Sequence, residues 1–228
     1  MKTIIYKSLA VISLCGLTLT GWAADKAYTT DKQKFSYAVG VQLANNIRQQ
    51  GLKDIDAAAL AQAIEDVLTG QSLKVSAPDM QAALVAYQQK MMQERKSEAD
   101  KAKVAGDKFR AENKKKKGVK ELKNGMQYQV LTKGKGKKPS ADSKVTVHYH
   151  GTLVNGTVFD SSVKRNQPAS FPVNGVIKGW QEILPMMPVG SKWKVVIPPD
   201  LAYGERGAGG SIGPNETLIF EIELISID

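Results

Sequence analysis

The sequence predicts an α+β protein in which a helical N-terminal part precedes an antiparallel β-sheet wrapped around one short helix. Two observations support this fold class. Apolar residues recur with the period of a helix from residue 25 to about 117, whereas from Gly118 onward they alternate or form β-branched runs. Glycine, proline and Asn-Gly signals then separate short segments, as between strands joined by tight turns. We therefore predict a helical domain at 24–117 and a strand domain at 118–228.

Each of three helical segments begins with a residue that can cap a helix N-terminus. These capping residues are Thr30, Asp56 and Ser76. Gln33, three residues after Thr30, completes the pattern of a capping box. The third helix is expected to run from Pro78 to Asn113, which makes it roughly 50 Å long at 1.5 Å per residue.

The long third helix carries a narrow apolar seam. The rest of the helical part offers too little apolar surface to cover this seam. Met80, Leu84, Tyr87 and Met91 follow a 4-3-4 spacing, whereas the sequence beyond Met92 is charged on every side. Two short helices cannot cover these faces alone, so the pattern predicts a homodimer through the N-terminal helices. The alternative is a three-helix bundle with a protruding arm.

Residues 1–23 have the composition of an export signal. Lys2 and Lys7 give a positive start, 8–20 is apolar, and Ala23 is a small residue at the expected cleavage point. The apolar run is too short to span a bilayer as a mature helix. We predict an exported protein of the periplasm, with association with the outer membrane or the cell surface as the alternative.

The only cysteine, Cys15, lies inside this leader. The bulky Leu14 before it disfavours a lipid-attachment site, which is the alternative interpretation. Removal of the leader would leave a mature chain without a thiol, which excludes disulfides, cysteine nucleophiles and thiolate metal sites.

The strand domain offers few groups for covalent or metal chemistry. His148 and His150 share one strand face but have no third ligand at a suitable spacing, so we expect no metal and no cofactor. The glycine-rich 203–213 lacks the Gly-Lys-Ser/Thr ending of a phosphate loop.

The net charge of +10 comes largely from lysines in a linker and in the turn at 132–140, without interleaved aromatic residues. This pattern predicts a solvated linker and no nucleic-acid binding. Weak attraction to anionic membrane surfaces is the alternative.

One predicted hairpin ends on a carboxylate. Asn155-Gly156 predicts a type I′ turn, in which both central residues have positive φ, and the returning strand then delivers Phe159 and Asp160. Asp160 either caps the turn that follows through "DSS" or is displayed for a chemical role. Trp180 and Tyr203 lie where loops begin, as pocket-lining groups often do, whereas Phe171 is assigned to the core.

Six ordered motifs resemble the FKBP-type peptidyl-prolyl isomerases over nearly all of residues 120–228. They are "VHYHGTL", "NGTVFDSS", "VIKGW", "PMMPVGSKWKVVIP", "LAYGERG" and "IGPNETLIFEIEL". The leader, the short helices and the long charged helix resemble one branch of that family, the macrophage infectivity potentiator (Mip) proteins of Gram-negative bacteria. In that branch the helical half forms a homodimer and the long helices hold two catalytic domains apart.

The resemblance implies an FKBP-like sheet around a short helix and a set of site residues. The implied apolar pocket consists of Tyr149, Phe159, Val176, Ile177, Trp180, Tyr203 and Phe220. Trp180 is its floor, Asp160 stands at its mouth beside Arg165, and Ile212 lies on an overhanging loop. Of these, Asp160, Tyr203, Phe159 and the Ile177 backbone N–H are expected to be catalytic and the others to bind substrate. Ala169 and Ala208 depart from the common family pattern, which leaves the affinity for macrolide inhibitors open.

The expected function is non-covalent cis-trans isomerisation of X-Pro bonds in exported, unfolded or host proteins. Rotation about such a bond faces a barrier of about 18–20 kcal/mol because the C–N bond is partly double. A dry aromatic pocket favours the twisted amide, in which charge separation is smaller, and needs no nucleophile. The alternative is an ATP-independent chaperone, or a surface adhesion or virulence factor, with isomerase activity as a secondary property.

Overall fold

A computed structural model describes residues 28–228. The predicted leader at 1–23, including Cys15, lies outside the described residues. The chain divides into two compact units, Met1–Leu60 and Ala61–Asp228. The domain boundary at 117/118 therefore falls inside the second unit and stays a prediction.

The helical part contains three helices, and their starts confirm the predicted caps. They are α1 (Asp31–Gln49), α2 (Ala57–Thr69) and α3 (Ala77–Asn113). The Thr30 side chain accepts from Gln33 N–H and completes a capping box with the Gln33 side chain. Asp56 Oδ1 accepts from the N–H groups of Ala58 and Ala59 at 2.9 and 3.0 Å. Ser76 Oγ accepts from Asp79 N–H, and α3 begins one residue earlier than predicted.

Large apolar side chains on all three helices remain exposed in the single chain. Phe35 on α1 is 71% exposed and Leu68 on α2 is 81% exposed. Met80 and Leu84 of the α3 seam are exposed as well. None of the helices within residues 28–228 has the length and continuous hydrophobicity of a membrane-spanning helix. The apolar faces of the helices are thus available to a partner.

The strand part forms one antiparallel sheet. Its strands are β1 (Val119–Glu121), β2 (Gln127–Thr132), β3 (Lys144–Leu153), β4 (Val158–Ser161), β5 (Ala169–Pro172), β6 (Lys192–Ile197) and β7 (Leu218–Ile227). Their spatial order is β1-β2-β6-β7-β3-β4, and β5 pairs with β3. A short helix, α4 (Lys178–Ile183), follows a single 3₁₀ turn at Val173–Gly175. This is the predicted α+β arrangement.

The core lies between one face of this sheet and α4. Alternate residues of β3 are buried, beginning at Val145, and those of β7 are buried from Leu218 to Leu224. Trp180 and Ile183 of α4 belong to the same buried cluster. Because side chains alternate across a strand, every second residue of β3 and β7 faces this cluster.

The last turns of α3 pack on the sheet. Asn113 is buried and donates to Gln127 Oε1 at 2.9 Å, and Gln127 Nε2 donates to the Arg110 carbonyl at 2.9 Å. Arg110 Nη1 also donates to the buried hydroxyl of Thr217 at 2.5 Å. Gly106 allows this close approach, because a Cβ there would overlap Thr217 Oγ1.

The hairpin turn between β3 and β4 differs from the predicted type I′ turn. Gly156 has a φ of 86°, but Asn155 is not among the described residues with positive φ. Gly156 N–H donates to the Leu153 carbonyl, and Leu153 N–H donates to the Thr157 carbonyl. These bonds indicate a three-residue loop with one left-handed glycine. The pairing between β3 and β4 then shifts by one residue, which leaves Phe159 as the extra residue of β4.

Candidate active site

A cavity of about 470 Å³ opens beside α4. Its lining residues are Phe171, Gly175, Val176, Ile177, Trp180, Tyr203 and Phe220. They come from β5, from the segment that leads into α4, from α4 itself, from the loop after β6 and from β7. The lining is apolar and aromatic, which suits a small hydrophobic ring better than a charged group.

Trp180 is the centre of an aromatic cluster at the base of this cavity. It is only 4% exposed, and its ring meets those of Tyr149, Phe220 and Phe171 edge-on at centroid distances of 5.5, 5.3 and 5.9 Å. Edge-to-face pairs of this kind contribute about 0.5–1.5 kcal/mol each beyond area burial. The cluster therefore fixes the floor of the cavity.

The residue before α4, Ile177, lines the cavity, and hydrogen bonds hold the backbone around it. Ile177 is the N-cap of α4, and its carbonyl accepts from the N–H groups of Trp180 and Gln181 at 2.9 and 3.1 Å. Gln181 Nε2 also donates to the Val176 carbonyl at 2.7 Å. Within residues 28–228 the Ile177 N–H makes no hydrogen bond. The segment is thus held through its carbonyl groups.

A hydrogen-bonded group of three side chains lies next to the aromatic cluster. It consists of Tyr149 on β3, Asp160 on β4 and Arg165 in the loop after β4. The Tyr149 hydroxyl donates to Asp160 Oδ2 at 2.5 Å, and Arg165 Nη1 donates to Asp160 Oδ1. Arg165 Nη2 donates to the Tyr149 hydroxyl at 3.0 Å. Both carboxylate oxygens of Asp160 are thus engaged, and Tyr149 links the group to Trp180.

These contacts shift the acidities of Asp160 and Tyr149 in opposite directions. Partial burial acts to raise the pKa of Asp160, but hydrogen bonds from Tyr149 and Arg165 outweigh it and hold that pKa below its usual value. Burial and the hydrogen bond to Asp160 raise the pKa of Tyr149. At neutral pH Asp160 is ionised and Tyr149 keeps its proton.

The turn after β4 is capped by a neighbour of Asp160. The Lys164 N–H donates to Ser161 Oγ at 3.1 Å. Ser162, fully buried, accepts from the Tyr149 N–H at 2.8 Å and donates to its carbonyl at 3.2 Å. The carboxylate of Asp160 is engaged by the side chains of Tyr149 and Arg165 and by the Ser161 backbone, and its role stays a prediction.

Phe159 packs against the cavity residue Phe220, in a space that the absence of a side chain at Gly151 leaves open. Its ring meets Phe220 edge-on at 5.4 Å. A Cβ on Gly151, the residue paired with Asp160 across the strands, would lie 2.6 Å from the Phe159 ring and 2.9 Å from Phe220. The missing side chain of Gly151 thus lets Phe159 fold over the sheet.

The loop between β6 and β7 carries Tyr203, which lines the cavity, and Ile212, which is buried in the core. Tyr203 lines the cavity and is 40% exposed. Ile212 is buried in the core cluster and exchanges two backbone hydrogen bonds with Ala208, at 2.9 and 3.0 Å. The loop is folded back on itself by this bridge.

Comparison with known proteins matches both parts of the chain to one family. Residues 135–225 match the model of the family described as FKBP-type peptidyl-prolyl cis-trans isomerase. Residues 32–130 match the model described as the domain amino terminal to FKBP-type peptidyl-prolyl isomerase. The outer membrane protein MIP of Legionella longbeachae is 45% identical over 226 residues, which cover 96% of this chain and 97% of that protein.

The chain belongs to the FKBP-type peptidyl-prolyl cis-trans isomerases. The FKBP-type 22 kDa peptidyl-prolyl cis-trans isomerase of Escherichia coli K12 is 44% identical over 200 residues, covering 88% of this chain and 97% of that protein. Among solved structures, FkpA from Escherichia coli matches with a TM-score of 0.63 and 36% identity, covering 89% of this chain and 99% of that one. The predicted enzyme class and its Mip-like affiliation are confirmed.

The FKBP-type site gathers the predicted residues in two groups. Five of them line the cavity itself, namely Val176, Ile177, Trp180, Tyr203 and Phe220. Tyr149, Asp160 and Arg165 form the adjoining polar group, Phe159 joins through Phe220, and Ile212 lies in the neighbouring core. Their individual roles stay predictions.

Sequence reasoning missed three contributors to this FKBP-type site. Phe171, which it assigned to the core, also lines the cavity. Gln181 braces the Val176 carbonyl, and Ser162 fixes both backbone groups of Tyr149. The "DSS" triplet is the one feature of the sequence that pointed to Ser162, and it predicted a turn rather than a hydrogen-bond partner of Tyr149.

Proposed function

We propose that the cavity beside α4 isomerises X-Pro bonds of exported polypeptides without a covalent intermediate. The observation that carries this proposal is an apolar cavity lined by Ile177, whose N–H makes no hydrogen bond within residues 28–228. The proline ring of the substrate would lie on Trp180, and its neighbouring carbonyl would accept from Ile177. Uncatalysed exchange of an X-Pro bond takes tens of seconds or more, so positioning and environment alone can give a useful acceleration.

The apolar lining would act on the bond that rotates. A planar amide has more charge separation than a twisted one, so its transfer into the cavity is the less favourable of the two. Groups that bind the twisted amide better than the planar form lower the barrier. Because no proton is transferred, no group that titrates near neutrality is required.

Asp160 would serve as a fixed charge at the edge of the cavity. Its carboxylate holds the Tyr149 hydroxyl, and Tyr149 packs edge-on against Trp180. Arg165 holds the other carboxylate oxygen and so keeps Asp160 ionised and in place. Loss of Asp160 would therefore remove both a local field and the anchor of Tyr149.

Two further elements of the proposal concern assembly and location. The exposed apolar faces of α1, α2 and α3 would be covered by a second copy of the chain, giving a homodimer. Two linked sites could then engage one unfolded client at two prolines. The predicted leader at 1–23 and the similarity to the outer membrane protein MIP of Legionella longbeachae support a periplasmic or outer-membrane location.

Polypeptide binding without catalysis is a second candidate for the helical part. Its support is the same exposed apolar surface, which includes Phe35 and Leu68. An ATP-independent chaperone of this kind would suppress aggregation of unfolded proteins even when the cavity is inactive. Sedimentation separates the two uses of this surface, because a dimer would bury it and a monomer would leave it free.

A proline-isomerisation assay on a short peptide, with and without a macrolide inhibitor, tests the proposal. Asp160→Ala should lower kcat/KM at least about tenfold, a loss of about 1.4 kcal/mol of transition-state stabilisation. Asp142→Ala, which removes an exposed carboxylate before β3, is the matched control. If Asp160→Ala instead lowers stability by about 0.5–2 kcal/mol and leaves activity per folded molecule unchanged, Asp160 is only a cap.

A further inference from the structure

The loop that carries Tyr203 and Ile212 contains several residues with little conformational preference. Gly204, Gly207, Gly209 and Gly210 all have positive φ, between 52° and 70°. Glycine loses more conformational freedom on ordering than any other residue, so this loop gains little rigidity from its own sequence. A contact from outside the loop can therefore decide where Tyr203 stands.

Such a contact comes from the long helix α3. Arg95 Nη2 donates to the Arg206 carbonyl at 2.8 Å and lies 3.4 Å from the Glu205 carbonyl. These two carbonyls follow Tyr203 by two and three residues, inside the 3₁₀ turn Gly204–Arg206. A guanidinium has five donors in a planar fork, which suits a pair of neighbouring carbonyls.

The loop is also fixed at other points, by hydrogen bonds at its end and within it. Arg110, four turns further along α3, donates to Thr217 at the end of the loop. Within the loop, Asn215 N–H donates to the Gly204 carbonyl at 2.8 Å. Helix α3 thus binds the loop at two points, through Arg95 near the middle of the loop and through Arg110 at its end.

We propose that Arg95 is a positioning residue of the isomerase site, which holds the turn Gly204–Arg206 and thereby keeps Tyr203 at the cavity wall. The proposal rests on the proposed function, since it assumes that the cavity binds the substrate proline. It assigns to α3 a role in substrate binding in addition to joining the two parts of the chain. Arg95 touches no substrate; it acts through the backbone next to Tyr203.

The test compares three variants of the full mature chain. Arg95→Ala removes the contact, and Arg95→Lys keeps the charge with a single-point donor. Lys96→Ala removes the same charge from the adjacent, exposed position of α3 and is the matched control. Peptide isomerisation gives KM and kcat separately, and amide hydrogen exchange reports on residues 203–213 and, as a reference, on β3 and β7.

Arg95→Ala should raise KM about three- to fivefold with kcat nearly unchanged, the range expected for an exposed charged contact. Exchange should accelerate at 203–213 but not in β3 or β7, and Arg95→Lys should give intermediate values. Lys96→Ala should match the unmodified chain in both measurements.

Two outcomes would overturn the proposal. One is an Arg95→Ala chain with the same KM and the same loop exchange as Lys96→Ala. The other is a uniform rise in exchange through the sheet, which would make Arg95 a general stabilising residue. If the unmodified chain itself has no isomerase activity, the proposed function fails, but the exchange measurement still decides whether Arg95 holds the loop.

Discussion

The packing of α3 on the sheet predicts that the strand part loses stability when the chain is cut at the lysine-rich boundary. A fragment of residues 118–228 begins just after Lys117, where the sequence places the end of the helical domain. It lacks Arg110 and Asn113, which make three hydrogen bonds to the sheet unit. A longer fragment of residues 102–228 keeps these contacts and the close approach of Gly106.

The expected loss follows mainly from those three bonds, because the further bonds from Gln129 to the Lys117 carbonyl and from Val119 to the Lys116 carbonyl are at exposed positions where water replaces them. Each of the three is worth about 1 kcal/mol net, and water replaces part of that when the helix is gone, so the difference should be about 2–3 kcal/mol. Domains of this size are stable by only about 5–15 kcal/mol. At about 4 °C per kcal/mol, the shorter fragment should melt roughly 10 °C lower than the longer one.

Thermal and urea unfolding, followed by tryptophan fluorescence, measure this difference directly. Both fragments should be monomers with peptide isomerase activity at temperatures where they are folded. The Asn113→Ala variant of the longer fragment provides an intermediate, because it leaves Gln127 Oε1 without its donor. Equal stability of the two fragments would refute the reasoning and would show that the end of α3 is only a tether.

Three further predictions follow from particular contacts. Activity should be flat between about pH 6 and 8, because the pKa of Asp160 is lowered and that of Tyr149 is raised, and a bell-shaped profile there would contradict the mechanism. The stability that Asp160 contributes should be fully present above the pKa of about 3.9 that the residue has in the unfolded chain. It should be lost as the pH falls through the lower pKa of Asp160 in the folded protein, and unfolding measured over an acid pH series tests this. Gly106→Ala should destabilise the chain by about 1–3 kcal/mol, because the added Cβ overlaps Thr217. Gly40→Ala, where nothing lies within 4 Å of the added Cβ, should stabilise α1 by about 0.5–1 kcal/mol. Denaturant unfolding measures both changes, and equal effects of the two substitutions would exclude the overlap.

Local signals predicted the helices well because a cap is a short-range interaction. Thr30, Asp56 and Ser76 each bond to an N–H group two or three residues away, so the sequence around them contains the whole interaction. The turn at Asn155 could not be predicted in the same way. Its form depends on how β3 and β4 are paired, and the shift that leaves Phe159 unpaired is a property of both strands.

The site could be predicted as a set of residues but not as an arrangement. Motif resemblance indicated Trp180, Tyr203 and Phe220, and these residues do meet at one cavity. The contact of Arg95 with the Arg206 carbonyl joins residues 111 positions apart. Arg206 belongs to the motif "LAYGERG", but Arg95 lies in no motif. Interactions of this range depend on where α3 passes the sheet, which periodicity along the chain does not contain.

The absence of a side chain at Gly151 limits which substitutions the hairpin beside the cavity can accept. Any larger residue there would displace the rings of Phe159 and Phe220 together, so a substitution at this position would alter a cavity-lining ring and the ring that packs against it in a single step. The hairpin tip at Gly156 is under no such limit, because open space surrounds it. We therefore expect the hairpin to tolerate insertions at its tip but no side chain at position 151.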